Sequence, residues 1–505
     1  MISSSSSLSE MFIKKWFWLY LFSFIIAPTG YIIKILVSQD LSVSEVGILY
    51  GIISLVVLLW AFSDFWIKES LSYFIPRFHE EKKHNKTKLL LLFWFYIQCI
   101  TGAIVFSVFY FWSPILAQYY FQSEAASDIL KIFAFFFIWI NIFQLINSFF
   151  LAIQNTFLQK WLEVIRMFFV MFGVIFVFFN WYGNLINYAY AWIGWLYIGV
   201  FISLLVFFIW YYPHYLQHEK IIWDKKLLKE IFSYALITFF TIQSFFLLSQ
   251  IDMQMVLFLL GTQDAGYYTN YLSLVSIPNT LIGPIFFLLY PIFSSMHARW
   301  EHKKINLVKY VFQKQFLVVS LAFSVLLYIF ALPISVILFW EKFLTSWVIL
   351  QYAILFLVWN FLLRINQIIL AATWCPRKRL KIVLISIVIN IIFNFIGIYF
   401  LWVAWAALGT GLSWIIIWYI SEQMMPQYKV WFDFKYLISN IVFFIIIGIS
   451  LTWFILPIFE HISRSSGFIA FLIISSIYFL LFSMWNIQEM KKFYHEIRSL
   501  KKDSY

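Results

Sequence analysis

The chain has 505 residues, of which 63% are hydrophobic and only 11% are charged. So few charged side chains leave too little polar surface to cover a soluble globule of this size, and we therefore expect lipid to be most of the solvent. The net charge of +12 does not indicate nucleic-acid binding, because no basic stretch is both long and free of neighbouring apolar segments. Cys99 and Cys375 form neither a disulfide framework nor a zinc pattern.

Fourteen apolar stretches follow a serine-rich start at residues 1–10. Each is long enough to cross a bilayer core of about 30 Å as a helix of roughly 20 residues, whereas a transmembrane barrel would show alternating segments of about 10 residues. No small-residue cleavage site follows the first stretch, so we interpret it as a retained helix and not as a signal peptide. The predicted spans are 16–37, 46–66, 89–112, 128–150, 161–180, 188–211, 231–254, 266–290, 315–331, 347–371, 380–400, 403–420, 436–456 and 467–484.

The basic residues fall almost entirely in every second loop between these spans. All but five of the 35 lysines and arginines lie on the side that carries the N-terminal tail. By the positive-inside rule, this alternation predicts an all-α polytopic membrane protein with both termini in the cytoplasm. The longest inner loops are predicted at residues 68–88 and 293–314. The five exceptions are Lys34, Lys131, Lys342 and Arg464 towards the outside, and Arg364 within a span.

A single constant shift along the chain, the one that places Gly47 on Gly266, brings further identical residues of the two halves into register. Each half then contains six spans and begins in the cytoplasm, so the halves form a parallel repeat about an axis along the membrane normal. We predict an N-terminal lobe at 1–218, a C-terminal lobe at 219–430, two further spans in 431–490 and a cytoplasmic tail at 491–505. Duplicated bundles commonly enclose a substrate path, which favours transport over catalysis. The other identical pairs are Asn141 and Asn360, Leu151 and Leu370, and Ala152 and Ala371.

Two ridges of polar side chains occupy the fourth and tenth spans, which are repeat partners. Polar groups are costly in lipid, so we expect both ridges to face the bundle interior and to line one cavity. The alternative is interhelical hydrogen bonding within each half. The ridges consist of Asn141, Gln144, Ser148 and Asn155 in the fourth span, and of Asn360, Arg364 and Gln367 in the tenth.

Three charged residues within or near spans are candidates for function. Arg364 lies 17 residues past Trp347, or about 26 Å along a straight helix, which places it nearer the cytoplasmic face. Lys34 lies near the outer end of the first span, and for both cations the alternative is a side chain that extends to the membrane surface. Asp252 lies in an apolar run that continues to Leu260, so its carboxylate is a candidate for taking up a proton or cation; the alternative is a position at the outer interface.

Mixed charges surround the inner end of the second span at Asp64, Lys68, Glu69 and Arg77. Their helical spacing favours local ion pairs. The alternative is that Arg77 receives an anionic headgroup, because a guanidinium donates two hydrogen bonds to a phosphate. The sequence contains no Gly-x-x-x-x-Gly-Lys-Ser/Thr motif, catalytic triad or metal-ligand pattern. We therefore predict no catalytic residue, no metal and no cofactor.

Several segments resemble one family. The run Asp64-Phe-Trp-Ile-Lys-Glu-Ser-Leu-Ser-Tyr-Phe-Ile-Pro-Arg-Phe78 is similar to the end of the second helix of polysaccharide and oligosaccharide flippases. Asp252, Leu259-Leu260-Gly261, Gly266-Tyr267-Tyr268 and Tyr290-Pro291 resemble the seventh and eighth helices of that family. These flippases belong to the multidrug, oligosaccharidyl-lipid and polysaccharide (MOP) exporter superfamily. Many relatives carry glycine where Trp66 stands, and the lipid II branch has arginines in the first helix, where this chain offers Lys34.

The resemblance implies two six-helix lobes that move a polyprenyl-(pyro)phosphate-linked glycan from the inner to the outer leaflet of a prokaryotic plasma membrane. Its expected partners are the polyprenyl-linked saccharide, membrane lipid, a coupling H⁺ or Na⁺ and glycan-assembly proteins, and not nucleic acid. By residue, we expect Arg364, Lys34 and Arg77 to engage phosphates, Asp252 to couple an ion, and Asn141, Gln144, Asn360 and Gln367 to line the saccharide path.

Two other functions stay open at this point. A multidrug exporter of the same fold would need acidic and aromatic residues around its cavity, whereas the charges within the spans are mainly basic. An integral-membrane glycan polymerase or ligase would carry a large outward loop, and the predicted outward loops are short.

Overall fold

The computed structural model describes residues 8–63, 67–373 and 376–430, with shorter pieces at 436, 438–444, 446–447, 450, 473–478 and 480. The described residues form helices and turns, because lipid offers no partners for backbone N–H and C=O groups and a helix satisfies them internally. The tail at 491–505 and the residues Asp64 to Trp66 lie outside the described residues, as does about half of the last two predicted spans.

By their contacts, the residues form two compact units, Met1–Gly266 and Tyr267–Tyr505. In the first unit, α1 packs along α8, α8 along α9, α3 against α7 and α2 against α11. Two π-helical turns, Leu116–Tyr120 and Phe207–Tyr211, follow α5 and α9. The helices that begin in this unit are α1 Leu8–Asp40, α2 Val43–Ser63, α3 Ile67–Glu80, α4 His84–Phe111, α5 Ser113–Ile115, α6 Ala125–Ala134, α7 Phe136–Ala152, α8 Thr156–Phe179, α9 Leu185–Val206, α10 Tyr212–Tyr215, α11 Lys225–Leu260 and α12 Thr262–Ala298.

In the second unit, α16 packs between α13 and α18, and α17 packs along α18. Its further helices are α13 His302–Ile329, α14 Ala331–Phe339, α15 Leu344–Ile354, α16 Leu357–Ala372, α17 Pro376–Leu401 and α18 Val403–Met424. Helix α11 belongs to the first unit because it packs on α2. The sequence repeat, by contrast, places the residues of α11 in the C-terminal lobe. The predicted domain bounds at 218, 430 and 490 therefore stay predictions.

Eight helical segments of the described chain are long and apolar enough to cross a membrane, or nine if a bent pair counts as one span. The predicted all-α polytopic fold is confirmed, whereas the count of fourteen spans stays a prediction. The eight segments are Val43–Ser63, His84–Phe111, Ala125–Ala152, Thr156–Phe179, Leu185–Tyr215, His302–Ile329, Arg377–Phe400 and Val403–Met424.

The two long inner loops that we predicted are mostly helical. Helix α3 occupies the first, and α12 and α13 leave only residues 299–301 of the second outside a helix. Helix α3 forms because its apolar residues recur at helical spacing: Leu71, Phe74 and Phe78 are buried, while Arg77 and Glu80 are exposed. A search for continuous apolar runs overlooks such an amphipathic helix.

The tenth predicted span is bent. Its two parts, Glu341–Ile354 and Leu357–Ala372, meet at an angle of 57°. The distance from Trp347 to Arg364 along one straight helix therefore does not apply, and the depth of Arg364 in the membrane stays a prediction.

Glycines allow α2 and the start of α12 to approach closely. A Cβ atom on Gly47 would overlap the carbonyl oxygen of Thr262, and one on Gly266 would overlap that of Val43. Val43 and Thr262 are repeat partners under the same shift that pairs Gly47 with Gly266. Each glycine therefore contacts the carbonyl group of the residue that is the repeat partner of the other contacted residue.

Replacing Gly47 by Ala is expected to destabilise the protein by about 1–3 kcal/mol, because the added methyl group must displace backbone. Thermal unfolding of the purified protein in detergent measures the loss. Gly194→Ala is the matched control, because Gly194 also lies in a helix but a Cβ there meets no atom within 4 Å. Equal unfolding temperatures for both variants would contradict the close contact.

Candidate functional site

A polar ridge on α16 carries the arginine that the sequence placed within a span. Arg364 Nε donates to Asn360 Oδ1, 3.0 Å away, and its guanidinium carbon lies 5.9 Å from the centre of the Phe286 ring. Among the described residues, Arg364 has no carboxylate partner. One turn further on, Gln367 Oε1 is buried and accepts no hydrogen bond within the described chain. This ridge, Asn360, Arg364 and Gln367, is suited to an anionic, hydrogen-bonding ligand.

The matching ridge on α7 is only partly available to a ligand. Asn141 is completely buried, and its amide accepts from Ser63 Oγ and donates to the Gln98 carbonyl, both at 3.4 Å. Interhelical bonding therefore accounts for Asn141. Gln144 is partly exposed and makes no side-chain hydrogen bond to the described residues, so its amide can bind a ligand.

Asn155 does not belong to this ridge, contrary to our prediction. Helix α7 ends at Ala152, and Asn155 instead caps α8 by accepting from the Leu158 N–H at 3.1 Å. Its amide donates to the hydroxyl of Tyr211 at 2.7 Å. An Asn side chain binds the free N–H groups at a helix start well, so Asn155 begins α8, and the chain turns between the two helices at Gln154, whose φ is 60°.

Lys34 is buried and does not extend to the membrane surface. Its side chain is 4% exposed, and its ammonium lies 3.6 Å from the centre of the Tyr50 ring. The negative face of an aromatic ring attracts a cation. Lys34 therefore lies inside the first unit, against the ring of Tyr50.

Arg77 takes part in local ion pairs. Its Nε lies 3.1 Å from Glu81 Oε1, and Lys83 Nζ lies 2.6 Å from the other oxygen of that carboxylate. Hydrogen bonds from Lys83 and then Arg77 hold the pKa of the Glu81 carboxyl below its usual value. All three side chains are substantially exposed, so these pairs are easily exchanged for a ligand.

Asp252 lies within α11 and not at its end, since α11 continues to Leu260. It is partly buried. Its neighbours hold α11 to α2: Ser54 Oγ donates to Gln250 Oε1 at 2.7 Å, and Gln254 Nε2 donates to Ser54 Oγ at 2.9 Å. Asp252 is thus fixed on a helix with a polar packing face.

The sequence reasoning missed a buried charge pair in the second unit. Lys309, counted as a loop cation, is fully buried in α13, and its ammonium lies 2.8 Å from the carboxylate of Glu422 on α18. Glu422 also accepts from Asn366 at 2.9 Å and from Gln313 at 3.2 Å. Lys309 donates in addition to the Tyr428 carbonyl at 2.8 Å. This cluster ties α13, α16 and α18 together.

A second missed cation is Arg166, which lies inside α8 with its guanidinium carbon 5.2 Å from the centre of the Phe143 ring. Charge counting assigns it to an inner loop. Its Nε is buried and makes no hydrogen bond to the described residues. Near it, Glu163 accepts from Asn147 at 2.9 Å and pairs with Lys160 at 2.7 Å.

The repeat offers a signal that would have found part of both clusters. Asn147 and Asn366 are repeat partners, both are buried, and each donates at 2.9 Å to a glutamate on a neighbouring helix. The glutamates themselves, Glu163 and Glu422, are not repeat partners, so the repeat alone does not identify them.

The fold of the chain is similar to the folds of solved membrane transporters. The chain is similar to the lipid II flippase MurJ in an inward closed conformation, with a TM-score of 0.71 and 14% identity over 94% of this chain and 99% of MurJ. It is also similar to an inward-facing multidrug resistance MATE family transporter, with a TM-score of 0.67 and 13% identity over 79% of this chain and 94% of that one.

Residues 12–297, more than half of the chain, match the family described as polysaccharide biosynthesis protein. The chain belongs to this family, which confirms the resemblance of the sequence motifs. An uncharacterized membrane protein of Methanocaldococcus jannaschii, MJ1068, is 24% identical over 450 residues, which cover 84% of this chain and 86% of the relative.

Proposed function

We propose that this protein is a flippase that moves a polyprenyl-(pyro)phosphate-linked oligosaccharide from the inner to the outer leaflet of a prokaryotic plasma membrane, for surface polysaccharide biosynthesis. The observation that carries the proposal is Arg364, a cation in a membrane helix whose described surroundings supply an amide and a ring but no carboxylate. Maintaining such a charge in a bundle is costly, so it marks a ligand path. Because the chain belongs to the polysaccharide biosynthesis family, we take the phosphate of a lipid-linked glycan as the anion that Arg364 binds.

In this proposal, Arg364 and the buried Lys34 bind the phosphates, and the exposed Arg77 makes a first contact at the inner face. Gln144, Asn360 and Gln367 line the saccharide path, while Asn141 positions the neighbouring helices. Asp252 takes up the coupling H⁺ or Na⁺. Both termini face the cytoplasm, where glycan-assembly proteins would deliver the substrate.

The fold likeness to a MATE transporter favours one second candidate, a multidrug exporter. Such a protein binds organic cations. The cations Arg364, Lys34 and Arg166 inside the described helices would repel them, so the flippase explains the charges better.

Transfer between leaflets of vesicles tests the function directly. Purified protein is reconstituted with a fluorescent polyprenyl-pyrophosphate disaccharide, and a membrane-impermeant quencher reports the label that remains outside. We expect faster transfer than in protein-free vesicles, and a further increase with an imposed proton or sodium gradient. Transfer no faster than without protein, together with uptake of a lipophilic cation, would favour the exporter.

A further inference from the structure

A pocket of about 470 Å³ opens in the first unit. It lies among the end of α3, the start of α4, the residues after α7 and the region of α10. This volume falls in the range of about 300–1,000 Å³ typical of small-molecule sites. By the proposed topology, these segments lie at the cytoplasmic face.

Several polar groups in the pocket have no partner in the described part of the protein. The side chains of His79, Glu80 and His84 form no hydrogen bond or ion pair with the described residues, and neither does the hydroxyl of Thr87. The two imidazole rings lie 5.6 Å apart, and His84 lies 6.4 Å from the ring of Tyr215. Together these groups offer donors and acceptors over a short distance.

Aromatic rings form one wall of the pocket. Tyr211 and Tyr215 stack with their ring centres 6.0 Å apart and their planes 18° apart. The hydrogen bond from Asn155 fixes the Tyr211 hydroxyl, so the pair is held in place. A flat aromatic surface suits the C–H face of a sugar ring, because its electron-rich face attracts weakly positive hydrogens.

The charges of the pocket disfavour a phosphate. None of the described lining residues is a lysine or arginine, and the Glu80 carboxylate would repel an anion. A carboxylate and imidazoles instead pair with hydroxyl groups, as donors and acceptors of hydrogen bonds. The combination matches an uncharged, hydroxyl-rich ring.

We propose that this pocket binds neutral sugar rings of the glycan that the protein transports, before the lipid-linked substrate enters the path between leaflets. This proposal rests on the proposed function, because that function brings a glycan to this face. Tyr215 stacks on the ring, Glu80 accepts from hydroxyls, and His79, His84 and Thr87 complete the hydrogen bonds.

Saturation-transfer NMR on the protein in lipid nanodiscs tests the pocket with methyl glycosides of glucose, galactose and N-acetylglucosamine. We expect a signal from at least one glycoside, an apparent affinity about tenfold weaker in Tyr215→Ala, and a weaker one in Glu80→Gln. Tyr190→Ala is the control, because Tyr190 is also an exposed tyrosine but lines other pockets. Inorganic phosphate should not compete. The absence of a signal that depends on Tyr215, or displacement by phosphate, overturns the proposal.

The vesicle assay separates this proposal from the proposed function. Slower transfer of the disaccharide lipid by Tyr215→Ala, with unchanged transfer of polyprenyl phosphate without sugar, supports the glycan as the source of the ring. If Tyr215→Ala has the same effect on the transfer of both lipids, the proposal is overturned. If glycosides bind but the wild-type protein transfers neither lipid, the proposed function fails and the pocket is one for free sugars.

Discussion

Replacing Glu422 by Gln is expected to destabilise the protein by about 3–5 kcal/mol, because the change leaves the ammonium of Lys309 buried without a counter-charge. Lys309 is completely buried and Glu422 nearly so, and bulk solvent therefore does not reach the remaining charge. If the amide oxygen takes the place of Oε1, which accepts from Gln313 and Asn366, the amide nitrogen replaces Oε2 and meets the ammonium of Lys309, so that two donors face each other. Thermal unfolding in detergent measures the effect, and the amount of folded protein at each temperature is read from its elution profile.

A double replacement distinguishes the charge from the shape of the side chain. Lys309→Met combined with Glu422→Gln removes both charges and is expected to recover most of the lost stability. Glu301→Ala serves as the control, because Glu301 pairs with Lys304 at 3.0 Å with both side chains about a quarter exposed, and such pairs contribute about 0–1 kcal/mol. If Glu422→Gln unfolds like Glu301→Ala, the buried pair does not hold α13 to α18.

The sequence was sufficient for the fold class because membrane physics leaves a strong pattern. Apolar runs and alternating basic loops follow from the cost of exposing polar groups to lipid, so they predict a polytopic helical bundle. The same rule did not reveal that Lys309 is buried and paired with Glu422, or that the Arg166 side chain packs against the Phe143 ring. Both lie in helices, but their closeness to the inner loops made them look like topology signals. Charge counting alone does not show whether a cation near a helix end is exposed or paired.

The sequence also predicted helix geometry and the contacts of buried side chains only in part. Helical spacing correctly placed Asn360, Arg364 and Gln367 on one helix, and the bond from Arg364 to Asn360 follows from the four-residue interval. Spacing also put Asn155 on the fourth span, whereas Asn155 caps the start of the next helix, and it did not reveal the 57° bend before Leu357. The buried partner Glu422 lies more than a hundred residues from Lys309, at a distance that local patterns do not encode.

Replacing Arg364 by Ala is expected to lower glycan export in cells by about thirtyfold or more, since losing a charged hydrogen-bonding partner of a buried phosphate costs about 2–5 kcal/mol. Arg364→Lys should fall between the wild type and Arg364→Ala, because a lysine keeps the charge but not the two-pronged donor geometry. The measurement is the amount of surface polysaccharide per molecule of membrane-inserted protein.

The structure supplies two controls for this experiment. Arg377→Ala removes an exposed arginine at the start of α17 and should leave export unchanged. Asn360→Ala keeps the arginine but frees its Nε, so export should fall less than in Arg364→Ala. Undiminished export in Arg364→Ala at normal protein levels would show that the cation has only a structural role. In that case Lys34, which is buried over Tyr50, is the next cation to replace, because it would then have to bind the phosphates without Arg364.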